Sequence, residues 1–323
     1  MGQENLTTTV TEFVLLGLTD NVTLKHLLFV LFSMVYLVTW LSNLTIITTV
    51  IYDHQLHTPM YFLLANLAFL DVSDSSVNSP KVLSTLLTRN KTISFKECII
   101  QMLFFHFTAG VMGFSLVAMA IDRYVAIHKP LHYLTIMNQG MCTGLVIGAW
   151  LGGFTHSIIQ IAVIVKLPFC GPNVLDNFYC DVPQVIKLAC TDTYLVEWLM
   201  VVNGGFLIII AFIALLISYT LILVKIRRHS TEGKHKALST CGGKLTVVFL
   251  MFIPSIFIYA RPFGKFPVDK MASVIYTIFT PMLNPMIYTL RNSEMKKSIR
   301  RLMNRILFSG HKSIMPAPGL GGQ

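Results

Sequence analysis

The chain has 323 residues, of which 54% are hydrophobic and 12% charged, and its mean hydropathy is +0.66. Soluble domains carry about 25% charged residues, so the solvent for most of this chain is lipid. The formal net charge of +10 would point to nucleic acid in a soluble chain. Here the basic residues cluster beside apolar spans rather than in an aromatic-interleaved patch, and no nucleic-acid partner is expected. Strand-like alternation is absent, which excludes a membrane β-barrel. The expected class is an all-α membrane protein.

Residues 1–23 read as a polar extracellular tail with Glu4, Glu12 and Asp20, broken only by Phe13-Val-Leu-Leu16, and no cleavable leader is visible. Asn5, Asn21 and Asn90 each open an Asn-X-Thr sequon. Such sites are glycosylated only on the lumenal or extracellular side. A further match at Asn43 falls inside an apolar span. Apolar spans follow at about 24–51, 59–86, 98–127, 140–165, 195–226, 237–260 and 271–290. Each reaches the roughly 20 residues that cross about 30 Å of hydrocarbon. Residues 24–290 thus read as a seven-transmembrane helix bundle. With the N-terminus outside, 15 of the 25 lysines and arginines fall on the inner side, as the positive-inside rule requires.

Beyond Arg291 the pattern changes. Met295, Ile299, Leu302, Met303 and Ile306 recur at helical spacing, with Lys296, Lys297, Arg300, Arg301 and Arg305 between them. This predicts an amphipathic C-terminal helix over 291–308, lying on an anionic leaflet of the bilayer. Residues 309–323 read as a disordered cytoplasmic tail.

Four of the six cysteines, Cys98, Cys170, Cys180 and Cys190, fall on or near the outer side. That side is oxidising, so two disulfides are expected, with three pairings open by spacing alone. Zinc is disfavoured because no Cys-X-X-Cys pair exists. Asp71, Asp74 and Asp122 lie within apolar spans, and a carboxylate at membrane depth is a functional candidate. Asp71 and Asp74 share one helix face. Pro254, Pro281 and Pro285 interrupt the last two spans. Asn284-Pro285 followed by Tyr288 places an amide, a kink and a phenol about one turn apart, a plausible switch.

Together these strings resemble a known family. Asp122-Arg123-Tyr124 and Asn284-Pro285-Met-Ile-Tyr288 look like a rhodopsin-like (class A) G-protein-coupled receptor. Leu56-His-Thr-Pro-Met-Tyr-Phe-Leu63, Met119 to Tyr133, Lys236-Ala-Leu-Ser-Thr-Cys241, and Pro281 to Asn292 narrow the resemblance to odorant (olfactory) receptors of the tetrapod-type class II. Ser218-Tyr219 fits as well. The resemblance covers about residues 5–305.

The resemblance implies bridges Cys98–Cys180 and Cys170–Cys190, the first tying span three to a loop that roofs a pocket. It implies that Asp122 holds Arg123 at rest and releases it to a G protein, with Tyr124, Tyr219, Asn284, Pro285 and Tyr288 in the switch. Asn43, Asp71 and Asn284 would form a polar core, with Asp74 beside it. Helical phase places Phe105, His106, Ala109, Gly110, Asn203, Phe206, Leu207, Ser255, Tyr259 and Thr277 around a pocket between spans three, five, six and seven. Such a set suits a small, largely apolar odorant. The remaining implied partners are the lipid bilayer, a heterotrimeric G protein of the stimulatory (olfactory) type that raises cAMP, and trafficking chaperones. The implied location is the plasma membrane, multi-pass.

The chain departs from the family pattern at several positions. Ser42 replaces a Gly, His128 a Cys, Lys244 a His and Phe252 a Tyr. Met112 stands where a Glu usually faces Asp71, so a family-type sodium site lacks that carboxylate, and Asp74 is the candidate to replace it. Asn177 replaces the His of the family's proposed copper-binding loop, so no metal or other cofactor is expected. The alternative within the fold is a class A receptor for a non-odorant metabolite or peptide. The alternative outside it, a membrane transporter, would carry inverted repeats, and none is visible. No Ser-His or His-Glu-X-X-His arrangement marks an enzyme.

Overall fold

The structure is a computed structural model that describes residues 10–88, 90–229, 234–260, 268–290 and 292–312, with the side chains of 226–229, 234–241, 243, 244, 247, 288–290 and 306–312 left out. Its long helices are α1 (Val22–Tyr52), α2 (Pro59–Leu87), α3 (Phe95–His128), α4 (Gln139–Ile164), α5 (194–229), α6 (Lys234–Tyr259), α7 (268–290) and α8 (Ser293–Lys312). A helix occupies every stretch expected to be apolar and helical, with span ends shifted by at most three residues. Among the described residues, Val22–Tyr52, Phe95–His128, Gln139–Ile164 and Tyr194–Lys225 are long and apolar enough to cross a membrane.

Local chemistry sets the helix starts. Asn21 caps α1, its Oδ1 accepting from Leu24 N at 3.2 Å. Ser94 and Glu97 form a reciprocal capping box on α3. Pro59 occupies the first turn of α2, where its missing N–H costs nothing. The faces are inverted relative to a soluble bundle. On α1, Leu27, Val30, Met34, Leu37 and Leu41 are exposed, while Thr39, Asn43 and Thr49 are buried. Apolar outside and polar inside is the pattern of a helical bundle solvated by lipid.

α3 runs through the centre and packs against α2, α4 and α5, while α1 packs on α2 and α7. Two helices are not uniform. α5 contains a π-helical turn at Val201–Phe206, and α7 one at Ile275–Phe279. α2 contains Pro80 in addition to the prolines of α6 and α7.

One element departs from an all-helical reading. β1 (Glu12–Leu15) is the central strand of a three-stranded sheet, antiparallel to β2 (Thr92–Ser94) and parallel to β3 (Val174–Leu175). Phe13 and Leu15 are fully buried beneath it, and the Phe13 ring meets Phe169 edge-on at 5.8 Å. The tail is therefore ordered from Val10, and α1 begins at Val22. A four-residue alternation is too short to stand out in a sequence. Its partners lie about 80 and 160 residues away. At the other end, α8 runs on to Lys312, past the expected end at 308. The rest of the expected disordered tail, 313–323, lies outside the described residues.

Candidate functional site

A cavity of about 250 Å³ opens between α3, α5, α6 and α7, with α4 behind them. Seven of the residues placed there by helical phase line it: Phe105, His106, Ala109 and Gly110 of α3, Leu207 of α5, and Ser255 and Tyr259 of α6. Ile208, Ala211, Met251 and Phe252 complete an apolar wall, and Tyr276 closes the α7 side. Ser255 Oγ donates to Met251 O at 2.7 Å, so its proton is already used.

Asn203, Phe206 and Thr277 do not line the cavity, which corrects their expected placement. Phe206 is 57% exposed on the outer face. Asn203 Nδ2 instead donates to His156 O at 3.1 Å. Thr277 is fully buried and donates to Ser273 O at 2.8 Å. All three belong to the two π-helical turns. Each such turn adds a residue, and a count at 3.6 residues per turn then slips by about 100°. Tyr276 and Gly204 take the inward positions instead. Sequence phase also omitted His156 and Gln160 of α4, which reach the cavity. Two polar residues one turn apart in an otherwise apolar helix were the available signal.

The roof comes from the loop between α4 and α5. Cys180 is bonded to Cys98 at the start of α3, and Cys170 to Cys190 within the loop. Gln101 Oε1 accepts from Cys180 N at 2.9 Å. The next residue, Asp181, is 2% exposed. It accepts from Tyr259 OH at 2.9 Å and Tyr179 OH at 3.2 Å, and its Oδ1 lies 3.9 Å from His106 Nε2. Roof, α3 and α6 thus meet at one carboxylate. Burial pushes that carboxyl up to about 6, against the opposing effect of the two tyrosine hydroxyls. Burial and then Asp181 also push the Tyr179 phenol well up, which keeps it a donor.

A carboxyl raised in the folded state binds its proton more tightly there than in the unfolded chain. Its contribution to stability is therefore present at low pH and lost as pH rises through about 6. The difference from an ordinary carboxylate near 3.9 amounts to about 3 kcal/mol at most. Relative to Asp181→Asn, wild-type protein is expected to gain stability as pH falls from about 6 to about 4. Thermal unfolding of both in detergent across that range checks it. Parallel pH profiles would contradict it.

A set of buried amides and carboxylates joins the helices. Asp74 accepts from Thr108 Oγ1 at 2.7 Å, linking α2 to α3. Asn284 Nδ2 donates to Asp71 at 2.8 Å, linking α7 to α2. Asn43 Nδ2 donates to Pro281 O at 3.2 Å, linking α1 to α7. Met112 is buried among them. Asn66, not singled out from the sequence, bonds both Ser115 of α3 at 3.1 Å and Trp150 of α4 at 3.0 Å.

The C-terminal end of α3 carries the charged cluster. Asp122 is 1% exposed, and Arg123 Nε donates to it at 2.7 Å, with Nη2 on the same oxygen. Tyr133 OH donates to the other oxygen at 2.7 Å. Burial, followed by Asp122, pushes the Tyr133 phenol up and keeps it a donor. Tyr124 stacks on His128 with centroids 4.2 Å apart, so the residue that departs from the family pattern is packed on the Asp122-Arg123-Tyr124 triplet. Tyr219 of α5 and Pro285 of α7 are buried. The Tyr288 side chain lies outside the described residues. Asn21 and Asn90 are exposed, while Asn5 lies outside the described residues.

A family profile described as olfactory receptor matches residues 32–306. Human Olfactory receptor 4N5 is 53% identical over 308 residues, covering 95% of this chain and 100% of its own length. Human Olfactory receptor 4D1 is 57% identical over 296 residues, covering 92% and 96%. Mouse Olfactory receptor 4E2 is 51% identical over 302 residues, covering 94% and 98%. A match of this extent, on a lipid-solvated helical bundle with a roofed cavity, shows that the chain belongs to the olfactory receptor family, a family of membrane receptors and not of enzymes.

Proposed function

We propose that the chain is an odorant-activated G-protein-coupled receptor of the plasma membrane, with α1 to α7 spanning the bilayer and the N-terminus outside. The single observation that carries this reading is that one helix, α3, bears both the mostly apolar cavity and the Asp122–Arg123 cluster. His106 and Asp122 are 16 residues apart, or roughly 24 Å along a helix axis. The buried amide and carboxylate chain lies between them. Phe105, His106, Ala109, Gly110, Leu207, Ser255 and Tyr259 contact the ligand. Asp122, Arg123, Tyr124, Tyr219, Asn284, Pro285 and Tyr288 form the switch. Basic, amphipathic α8 lies on the inner leaflet, where Arg301 bonds Asp53 at 2.9 Å and Gln55 at 2.6 Å of the first inner turn.

The mechanism is selection between conformations. A ligand that fits the cavity better in one state shifts the population towards it. Arg123 then leaves Asp122, which retains Tyr133 as a donor, and meets a stimulatory G protein of the olfactory type, raising cAMP. Moving a two-state equilibrium from 1:99 to 99:1 takes about 5.5 kcal/mol of differential affinity. A small volatile with one or two hydrogen bonds gives less, so partial activation is expected. Trafficking chaperones assist passage to the surface. The test is a screen of neutral volatiles for cAMP in cells coexpressing such chaperones. Ala109→Phe, which fills the cavity, serves as the control.

A further inference from the structure

Two of the cavity's polar side chains, His156 and Gln160, come from α4, beside His106 of α3. α4 reaches the cavity because α3 and α5 each present a glycine there. A Cβ on Gly110 would lie 3.0 Å from Gly153 Cα and 3.3 Å from His156 Cδ2. A Cβ on Gly204 would lie 3.2 Å from Gln160 Nε2 and 4.0 Å from His156 Cε1. Through this window His156 and Gln160 line the cavity beside His106, whose ring centroid is 5.9 Å from that of His156. Gln160 and His106 are each 4% exposed. Gln160 Nε2, His106 Nε2 and His156 Nδ1 have no hydrogen-bond partner among the described residues. Buried donors are rarely left unmade, because each then bears its full desolvation cost.

We propose that this receptor selects neutral carbonyl compounds (ketones, esters or lactones), with the carbonyl oxygen held by His106, His156 and Gln160 and the hydrocarbon part against α5 and α6. This rests on the receptor reading above and names the ligand class for the same cavity. The Gln160 Nε2 group can only donate. The Asp181 carboxylate oxygen 3.9 Å from His106 Nε2 favours the proton on that nitrogen. Two unpartnered donors lining one cavity match the two lone pairs of a carbonyl oxygen. A hydroxyl would bring its own proton to the same donors. A carboxylate would sit near Asp181 with no lysine or arginine in the lining. An ammonium would face donors rather than acceptors. The cavity's 250 Å³, at about 30 Å³ per water-sized unit, admits roughly eight non-hydrogen atoms.

The experiment measures cAMP dose–response curves for a matched ketone, alcohol, carboxylic acid, amine and hydrocarbon on one carbon skeleton. The receptors are wild type, Gln160→Leu and Gly204→Ala, each with its surface level measured by live-cell labelling. Wild type is expected to favour the ketone over the others by about tenfold or more, the usual scale for a buried polar match. Each variant that reaches the surface is expected to erase that preference. An acid, amine or alcohol ranking first in wild type overturns the proposal while leaving the receptor reading standing. So does an undiminished ketone preference in a surface-expressed Gln160→Leu. The wild-type ranking decides by itself if neither variant reaches the surface. If no compound of any class raises cAMP, the receptor reading falls and takes this proposal with it.

Discussion

Arg123→Ala is expected to abolish odorant-evoked cAMP while leaving the protein at the cell surface. The Arg123 side chain is 24% exposed at the inner end of α3, whereas Asp122 is buried. The guanidinium bonds that carboxylate through Nε and Nη2. Its removal does not leave Asp122 bare, because Tyr133 still donates at 2.7 Å. The folding cost is therefore limited, and the loss falls on the contact that the freed guanidinium makes. An arginine fork is suited to carbonyl and carboxylate groups of a docking peptide in a way that alanine is not. Paired surface labelling and cAMP measurement separates the two effects. A variant that signals at wild-type amplitude would remove Arg123 from the mechanism.

Cys98→Ser is expected to have the second large effect, on the amount of folded receptor. The Cys98–Cys180 bond spans 82 residues and is fully buried at both ends. Chain-entropy reasoning assigns a loop of that length about 4 to 5 kcal/mol. The bond also positions Asp181, where the roof meets Tyr259 of α6 and approaches His106 of α3. The Cys170–Cys190 bond spans 20 residues, worth about 3 kcal/mol on the same reasoning. Surface levels should therefore fall in the order Cys170→Ser, then Cys98→Ser. Wild-type levels and wild-type unfolding temperature in Cys98→Ser would contradict the assignment.

The parts of the molecule legible from sequence were those written in long local patterns. Helix positions followed from runs of apolar residues, and in the structure Asn21, Ser94 and Pro59 cap or start three of those helices. The Asp122–Arg123 pair was legible through the resemblance that the Asp122-Arg123-Tyr124 triplet carries. Features that depend on distant partners were not. β1 became a strand only through pairing with residues far along the chain. Asn203, Phe206 and Thr277 were misplaced because they lie within π-helical turns, where the phase departs from 3.6 residues per turn, and no residue type announces such a turn. The α4 wall was missed because it depends on the absence of side chains at Gly110 and Gly204 on other helices. Asp181 lay outside the helical pattern altogether, and its role follows from burial beneath the roof.

The most direct test of the account is the cAMP dose–response to active volatiles in wild type and Ala109→Phe, at matched surface levels. Ala109 lines the cavity and makes no polar contact that the switch requires. A phenyl ring there fills space that a ligand of this size needs. Potency is expected to fall by about tenfold or more, in keeping with the loss of a few buried contacts. Equal potency in the two receptors would place the ligand elsewhere and contradict the account.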